Sequence, residues 1–156
     1  MHVFNQIVKA LVFLTLLFNL VPVFAQSMGK EGSYASRVRI EDPGFSYELL
    51  RDINQYRRSH NLKPLYYSKL YTELAQDHSD DMAARHMLDH RGFNKRFAIA
   101  QSYHCVENAG WNNPTPAAAL TGWIHSRYHR KNLLDPNITS AGIGLKSGYV
   151  TFFACQ

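Results

Sequence analysis

The sequence predicts an α+β layered domain, and two observations carry that expectation. Apolar residues recur at helical spacing from Phe45 to Ser126, whereas β-branched and aromatic residues crowd the end of the chain, above all in Tyr149–Cys155. Helices first and strands last suit a layered α+β domain better than a βαβ repeat. A third observation trims the chain. Residues 10–25, ALVFLTLLFNLVPVFA, are apolar except for Thr15 and Asn19, follow Lys9, and end in Val23-Phe24-Ala25. That is the pattern of a secretory signal cleaved after Ala25, so the protein is expected to be secreted or periplasmic. Roughly 130 residues remain, enough to bury about two-thirds of their unfolded surface in one core. A monomer is therefore expected.

Each element has its own justification. Residues 26–43 are polar and without a sustained period, and read as an N-terminal arm ahead of a domain over 44–156. Asp42-Pro43 is a helix start signal, and a first helix is expected over Phe45 to His60. Leu49, Leu50, Ile53 and Tyr56 fall on its inner face, with Arg51, Asp52, Arg57 and Arg58 turned away. Pro64 ends it, because the residue before a proline disfavours helix. Ser68 caps a second helix with Leu70, Leu74, His78 and Met82 on one face, fading near His86–His90; Arg91-Gly92-Phe93 then breaks the pattern. Residues 102–109 read as a short strand or an ordered loop. Pro114-Thr115-Pro116 introduces a third helix, Ala117 to Ser126, with Leu120 and Trp123 inward, and Leu133-Leu134 closes a brief helical turn. Residues 138–145 and Tyr149–Cys155, joined at Ser147-Gly148, read as an antiparallel hairpin.

Charge and length exclude several classes. The 17 Lys and Arg against 12 Asp and Glu give +5, one unit of it in the leader, and the basic pairs Arg57-Arg58 and Arg130-Lys131 are short. Nucleic acid is not an expected partner. Beyond the leader no apolar run approaches the ~18 residues that span a bilayer. Cys105 and Cys155 form an even pair, which in an exported chain reads as a disulfide; the other reading is two separate thiols, one of them near Glu107.

Eight histidines are many for this length. His86 with His90, and His125 with His129, have the i, i+4 spacing that lets two rings chelate one ion on a helix. The zinc-protease motif also needs Glu directly after the first His, where Met87 and Ser126 stand. Glu107, between apolar residues, is a candidate buried carboxylate that must be paired or protonated, with His90 or His129 as partner. Ser126, His129 and Glu107 supply a nucleophile, a base and an orienter in type, without a nucleophile elbow; the other role for Ser126 is to cap or end a helix. His78, on an apolar helix face, reads as a core histidine. Asn137-Ile138-Thr139 is a sequon that matters only in a eukaryotic secretory pathway, and otherwise a turn. Trp111 and Trp123 are candidates to line a cleft, Trp123 more naturally to fill the core.

Taken in order, these segments resemble the CAP superfamily, the SCP-like extracellular domain of cysteine-rich secretory proteins, antigen 5 and plant pathogenesis-related proteins, and in particular its short bacterial branch. Leu50–Arg57 (LRDINQYR) with Leu62–Leu65 (LKPL) is similar to the first helix and its exit, and Leu74–Ala83 (LAQDHSDDMA) to the second helix. Leu88–His90 with Arg91–Phe93, then Glu107–Ala109 (ENA), are similar to site motifs, and Gly122–Leu134 (GWIHSRYHRKNLL) to the third motif; Ala141–Gly144 and the last strand complete the order. The resemblance implies an α-β-α sandwich around a small central antiparallel sheet. It also implies a groove holding two histidines and two acids, where some members bind a divalent metal. Carried over, the histidines are His90 and His129 and one acid is Glu107; Ser126 stands where the second acid belongs. The metal set implied is His90, His129 and Glu107, with zinc or another divalent cation as the cofactor. A ligand in the groove, metal, lipid or peptide, is the leading expectation. The alternatives are a hydrolase using His90, Glu107 and His129 with Ser126 or a metal-bound water as nucleophile, and an interaction module working through the loops around 93–103 and 111–116.

Overall fold

The computed structural model describes residues 42–156, so the expected leader and residues 26–41 of the expected arm lie outside the described residues. Helix α1 spans Pro43–Ser59, and Asp42 caps it by accepting the Phe45 amide at 3.0 Å. Asp42 and Pro43, read above with the arm, thus open the first helix. Strand β1 is Tyr66–Tyr67, α2 is Lys69–Arg85 with Ser68 as N-cap, and α3 is Phe93–Ala100. Strand β2 is Cys105–Trp111, α4 is Pro116–His125 and α5 is Arg127–Leu133. Strands β3, Ser140–Lys146, and β4, Tyr149–Cys155, form the expected hairpin. Its turn places Ser147 and Gly148 both at positive φ, the backbone that two-residue hairpins require.

The sheet order is β1-β3-β4-β2. β2, β3 and β4 are antiparallel as expected, but the two residues of β1 run parallel to β3, pairing Tyr66 with Ser140 and Tyr67 with Ala141. The strand alternation of β4 divides the core into two layers. Val150, Phe152 and Ala154 pack with Leu49, Ile53, Ala119 and Trp123 of α1 and α4, while Phe153 and Cys155 pack with Tyr71, Leu74 and Ala75 of α2. The result is the three-layer α-β-α sandwich. The α2 layer is unusually close: a Cβ on Gly142 would lie 2.0 Å from the Thr72 nitrogen, and one on Gly144 2.3 Å from Ala75 and Gln76 backbone.

A side-chain amide bonds the backbone at each sheet margin. On β3, beyond β1, the Gln76 carboxamide donates to the Leu145 carbonyl at 2.8 Å and accepts its N–H at 3.1 Å. On β2 the Asn132 amide from α5 donates to the Glu107 carbonyl at 3.0 Å and to the Asn108 side chain at 2.9 Å.

Two expectations need correction. Arg57 is buried, with 1% of its surface exposed, where helical spacing alone turns it outward. Its guanidinium donates to the carbonyls of Lys63, Leu133 and Asp135, satisfying the end of α5 and the loop after α1. Leu70, assigned to the inner face of α2, is exposed, because that face begins to meet the sheet at Tyr71 and Leu74. Ser126 has the role of cap and helix end read for it: its extended backbone separates α4 from α5 and caps the latter.

Candidate functional site

The site begins where α2 ends. His86 takes a left-handed conformation at the C-cap, so the chain leaves the helix before His90, and the helical pair His86/His90 does not exist. The turn that follows is braced by Arg85, which bonds Asp81 at 2.7 Å and Asp89 at 2.8 Å. The Arg85 guanidinium holds the Asp89 carboxyl down at about 2. The Asp89 carbonyl meanwhile faces Nε2 of the buried His78 at 2.9 Å. A carbonyl only accepts, so Nε2 carries the His78 proton. Nδ1 then carries the lone pair, and it is buried without a hydrogen-bond partner. Burial pushes the His78 pKa down, against the pull of the Glu107 carboxylate.

Glu107 lies on β2 with its side chain on the α2 side of the sheet, at the meeting point of three elements. His90 Nδ1 lies 2.9 Å from Oε1. From α3, Arg96 grips both oxygens, Nε donating to Oε2 at 2.7 Å and Nη2 to Oε1 at 2.8 Å. The third arm of the guanidinium, Nη1, donates to the Arg91 carbonyl at 2.9 Å. His78 Nε2 stands 3.5 Å from Oε1. Burial alone would raise the Glu107 pKa, but the hydrogen bonds from His90 and Arg96 outweigh it and hold the carboxyl below its usual range. Glu107 is therefore a buried carboxylate held by the Arg96 guanidinium and by the His90 ring.

Of the two partners expected for a buried Glu107, His90 is the one in contact with it. His129 sits on α5, whose position is set by Asn108 donating to the His129 carbonyl at 3.0 Å. Burial lowers the His129 pKa, and the charge of His90 lowers it further. Ser126 Oγ faces the His129 amide at 3.5 Å as the cap of α5. His125 is exposed and bonds its own helix at the Thr121 carbonyl, so it does not pair with His129. Trp123 is buried and donates to the Ala109 carbonyl, whereas Trp111 is exposed. The cysteines form the Cys105–Cys155 disulfide between paired positions of β2 and β4.

Among the described residues, the donor atoms that converge within 4.8 Å of one another belong to His78, His90 and Glu107, a set that includes His78 and not His129. Their chemistry does not fit a resident cation. A zinc ligand needs a free lone pair. His78 Nε2 holds a proton toward Asp89, and both Glu107 oxygens are occupied by Arg96 and His90. An ion placed among them would also meet the guanidinium. Among the described residues of the site, His90 Nε2 and the His129 ring have no hydrogen bond and are not sealed in the core as His78 Nδ1 is, and two imidazoles are fewer than the three protein ligands of a catalytic zinc.

Two participants escaped the sequence reading. Arg96 lies in a helix that was not foreseen, although Phe93, Phe97 and Ala100 at i, i+4 and i+7 are a short apolar stripe. His78 was placed correctly in the core, yet its contact with Glu107 across the sheet has no signal in local spacing.

Known proteins share this arrangement of elements. An extracellular protein with an SCP domain from Bacillus anthracis superposes with a TM-score of 0.69 at 27% identity, over 72% of this chain and 40% of that one. A cysteine-rich secretory protein from Staphylococcus aureus, 16% identical, gives 0.68 over 74% of this chain and 39% of its own, which speaks to fold alone. In sequence, the uncharacterized protein YkwD of Bacillus subtilis is 31% identical over 105 residues, covering 62% of this chain and 41% of YkwD. The uncharacterized membrane protein YlbC of the same organism is 28% identical over 113 residues, 67% of this chain and 32% of that protein. The chain thus spans well under half of the curated relatives it matches. The family model described as the cysteine-rich secretory protein family matches residues 50–156, from α1 through the disulfide-bonded end of β4. With its motifs in order, its three layers and its His90–Glu107 contact at the edge of the sheet, the chain belongs to the CAP family.

Proposed function

We propose that this is an exported CAP-domain binding protein whose groove, between the 86–92 turn and α5, holds a ligand through the rings of His90 and His129. The observation that carries the reading is the anchoring of His90: Nδ1 is fixed on a buried carboxylate at 2.9 Å, which leaves Nε2 to meet a ligand in one orientation. A hydrogen bond that orients one nitrogen of an imidazole decides what the other presents. Export is supported by the apolar leader ending at Ala25 and by the disulfide, which belongs to oxidising compartments. Among structural relatives, one is an extracellular protein and another an outer surface protein of Borrelia burgdorferi. Among the described residues no helix is long and apolar enough to cross a membrane. The chain acts as a monomer in this reading.

The hydrolase alternative has less support. Ser126 Oγ is used as a helix cap, and the metal-bound water it would otherwise need lacks a three-ligand site. The test is ring-nitrogen NMR of His90 and His129 during titration with a panel of a fatty acid, an extended peptide and a cell-wall oligosaccharide. Binding by one member that moves both rings, and that is lost in His90→Ala/His129→Ala, is expected. A ligand that binds the double variant equally well would place function in the loops around 93–103 and 111–116 instead.

A further inference from the structure

The grip on Glu107 has the geometry of a built site. The Arg96 guanidinium is buried and uses all three nitrogens, two on the carboxylate and one on the Arg91 carbonyl. The resemblance set out above implies two acids around the groove; Ser126 takes the place of one, and Arg96 cancels the other. The charge that would draw a divalent cation is thus reduced from two negatives to none, before counting Arg91 and Lys95, which line the cavity of about 260 Å³ beside Arg96 and His78. Asp77 and Asp81 line the same cavity, and Asp81 is already paired with Arg85.

We infer that Arg96 is the specificity-determining residue of the groove: its guanidinium stands where a cation's charge would stand, so that the site selects an uncharged or anionic hydrogen-bonding ligand and rejects divalent metal. This rests on the reading that His90 and His129 face a ligand, and it names the class of that ligand. Arg96 itself touches no ligand. It acts through Glu107, and Glu107 through His90. Freed of Arg96, Oε2 of Glu107 would lose its 2.7 Å partner, and the carboxylate would offer a cation an unneutralised negative charge.

The experiment is calorimetric titration of the purified protein with Zn²⁺ alone, beside Arg96→Gln, Glu107→Gln and the double variant. In the wild type, zinc binding is expected to be weak and to change less than threefold on Glu107→Gln, because Glu107 is not a ligand. Arg96→Gln is expected to bind zinc at least tenfold more tightly, and the gain to vanish in Arg96→Gln/Glu107→Gln. A folded Arg96→Gln no tighter than wild type overturns the inference. So does a tenfold loss on Glu107→Gln in the wild-type background, and this arm decides alone if Arg96→Gln does not fold by near-UV circular dichroism. Tight wild-type zinc binding through Glu107 sinks this inference and leaves a ligand-binding groove standing. An organic panel that never touches His90 and His129 sinks the groove reading and leaves the zinc ratios as they are.

Discussion

At the scale of single residues, burial and charged neighbours oppose each other at His78 and Glu107 and act together at His129. Burial lowers the pKa of His78 and, with the charge of His90, that of His129; charged hydrogen-bond partners lower that of Glu107 against its burial. The pH dependence follows from these directions. Below about 6.5 the unfolded chain takes up protons on both histidines that the folded chain refuses, so stability falls from there toward the folded values. Below about 4.5 the unfolded Glu107 protonates first, and its contribution is lost as pH drops through its depressed folded value. The melting temperature should therefore decline steadily from pH 7 to pH 4. In His78→Gln, whose amide can still donate to Asp89, the part of the decline between pH 6.5 and 5 should shrink. An unchanged slope there would mean that His78 is solvated. Residue identity made Glu107 and His90 legible in the sequence, since an acid amid apolar residues needs a partner. It left Arg57 unread, because a buried arginine follows from three carbonyls that only the fold brings together.

At the scale of elements, helix-to-sheet distance depends on two glycines. A methyl on Gly144 would fall 2.3 Å from the backbone of Ala75 and Gln76, and backbone cannot rotate away. Gly144→Ala should cost at least the ~1–3 kcal/mol of an overpacked core, read from urea denaturation. Gly122, inside α4, meets only the Asn113 side chain at 3.8 Å, so Gly122→Ala should be neutral or stabilise by up to about 1 kcal/mol through helix propensity. Equal losses at the two sites would refute the packing argument. Long amphipathic elements were the legible ones: α1, α2, α4 and the hairpin announce themselves through caps, period and turn residues. The short pieces, β1 and α3, did not. Two residues have no period, and the left-handed Gly92 before α3 reads as a break when it is the residue that starts the helix.

At the scale of the molecule, one covalent tie joins the edge strand that carries Glu107 to the end of the chain. Cys105 and Cys155 are 50 residues apart, and closing such a loop contributes on the order of 4 kcal/mol in the chain-entropy model. Cys105→Ser/Cys155→Ser should lower unfolding free energy by a large part of that amount; a loss under about 1 kcal/mol would mean that the unfolded chain is compact without the bond. The same view shows what the two carboxamides at the sheet margins achieve together. A strand edge is an invitation to any other strand of the same kind, and a crowd of identical molecules offers many. Here Gln76 and β1 occupy one margin and Asn132 the other, so the sheet is hemmed like cloth. Among the described residues, each margin therefore leaves a neighbouring copy a shorter run of free backbone on which to begin a fibre.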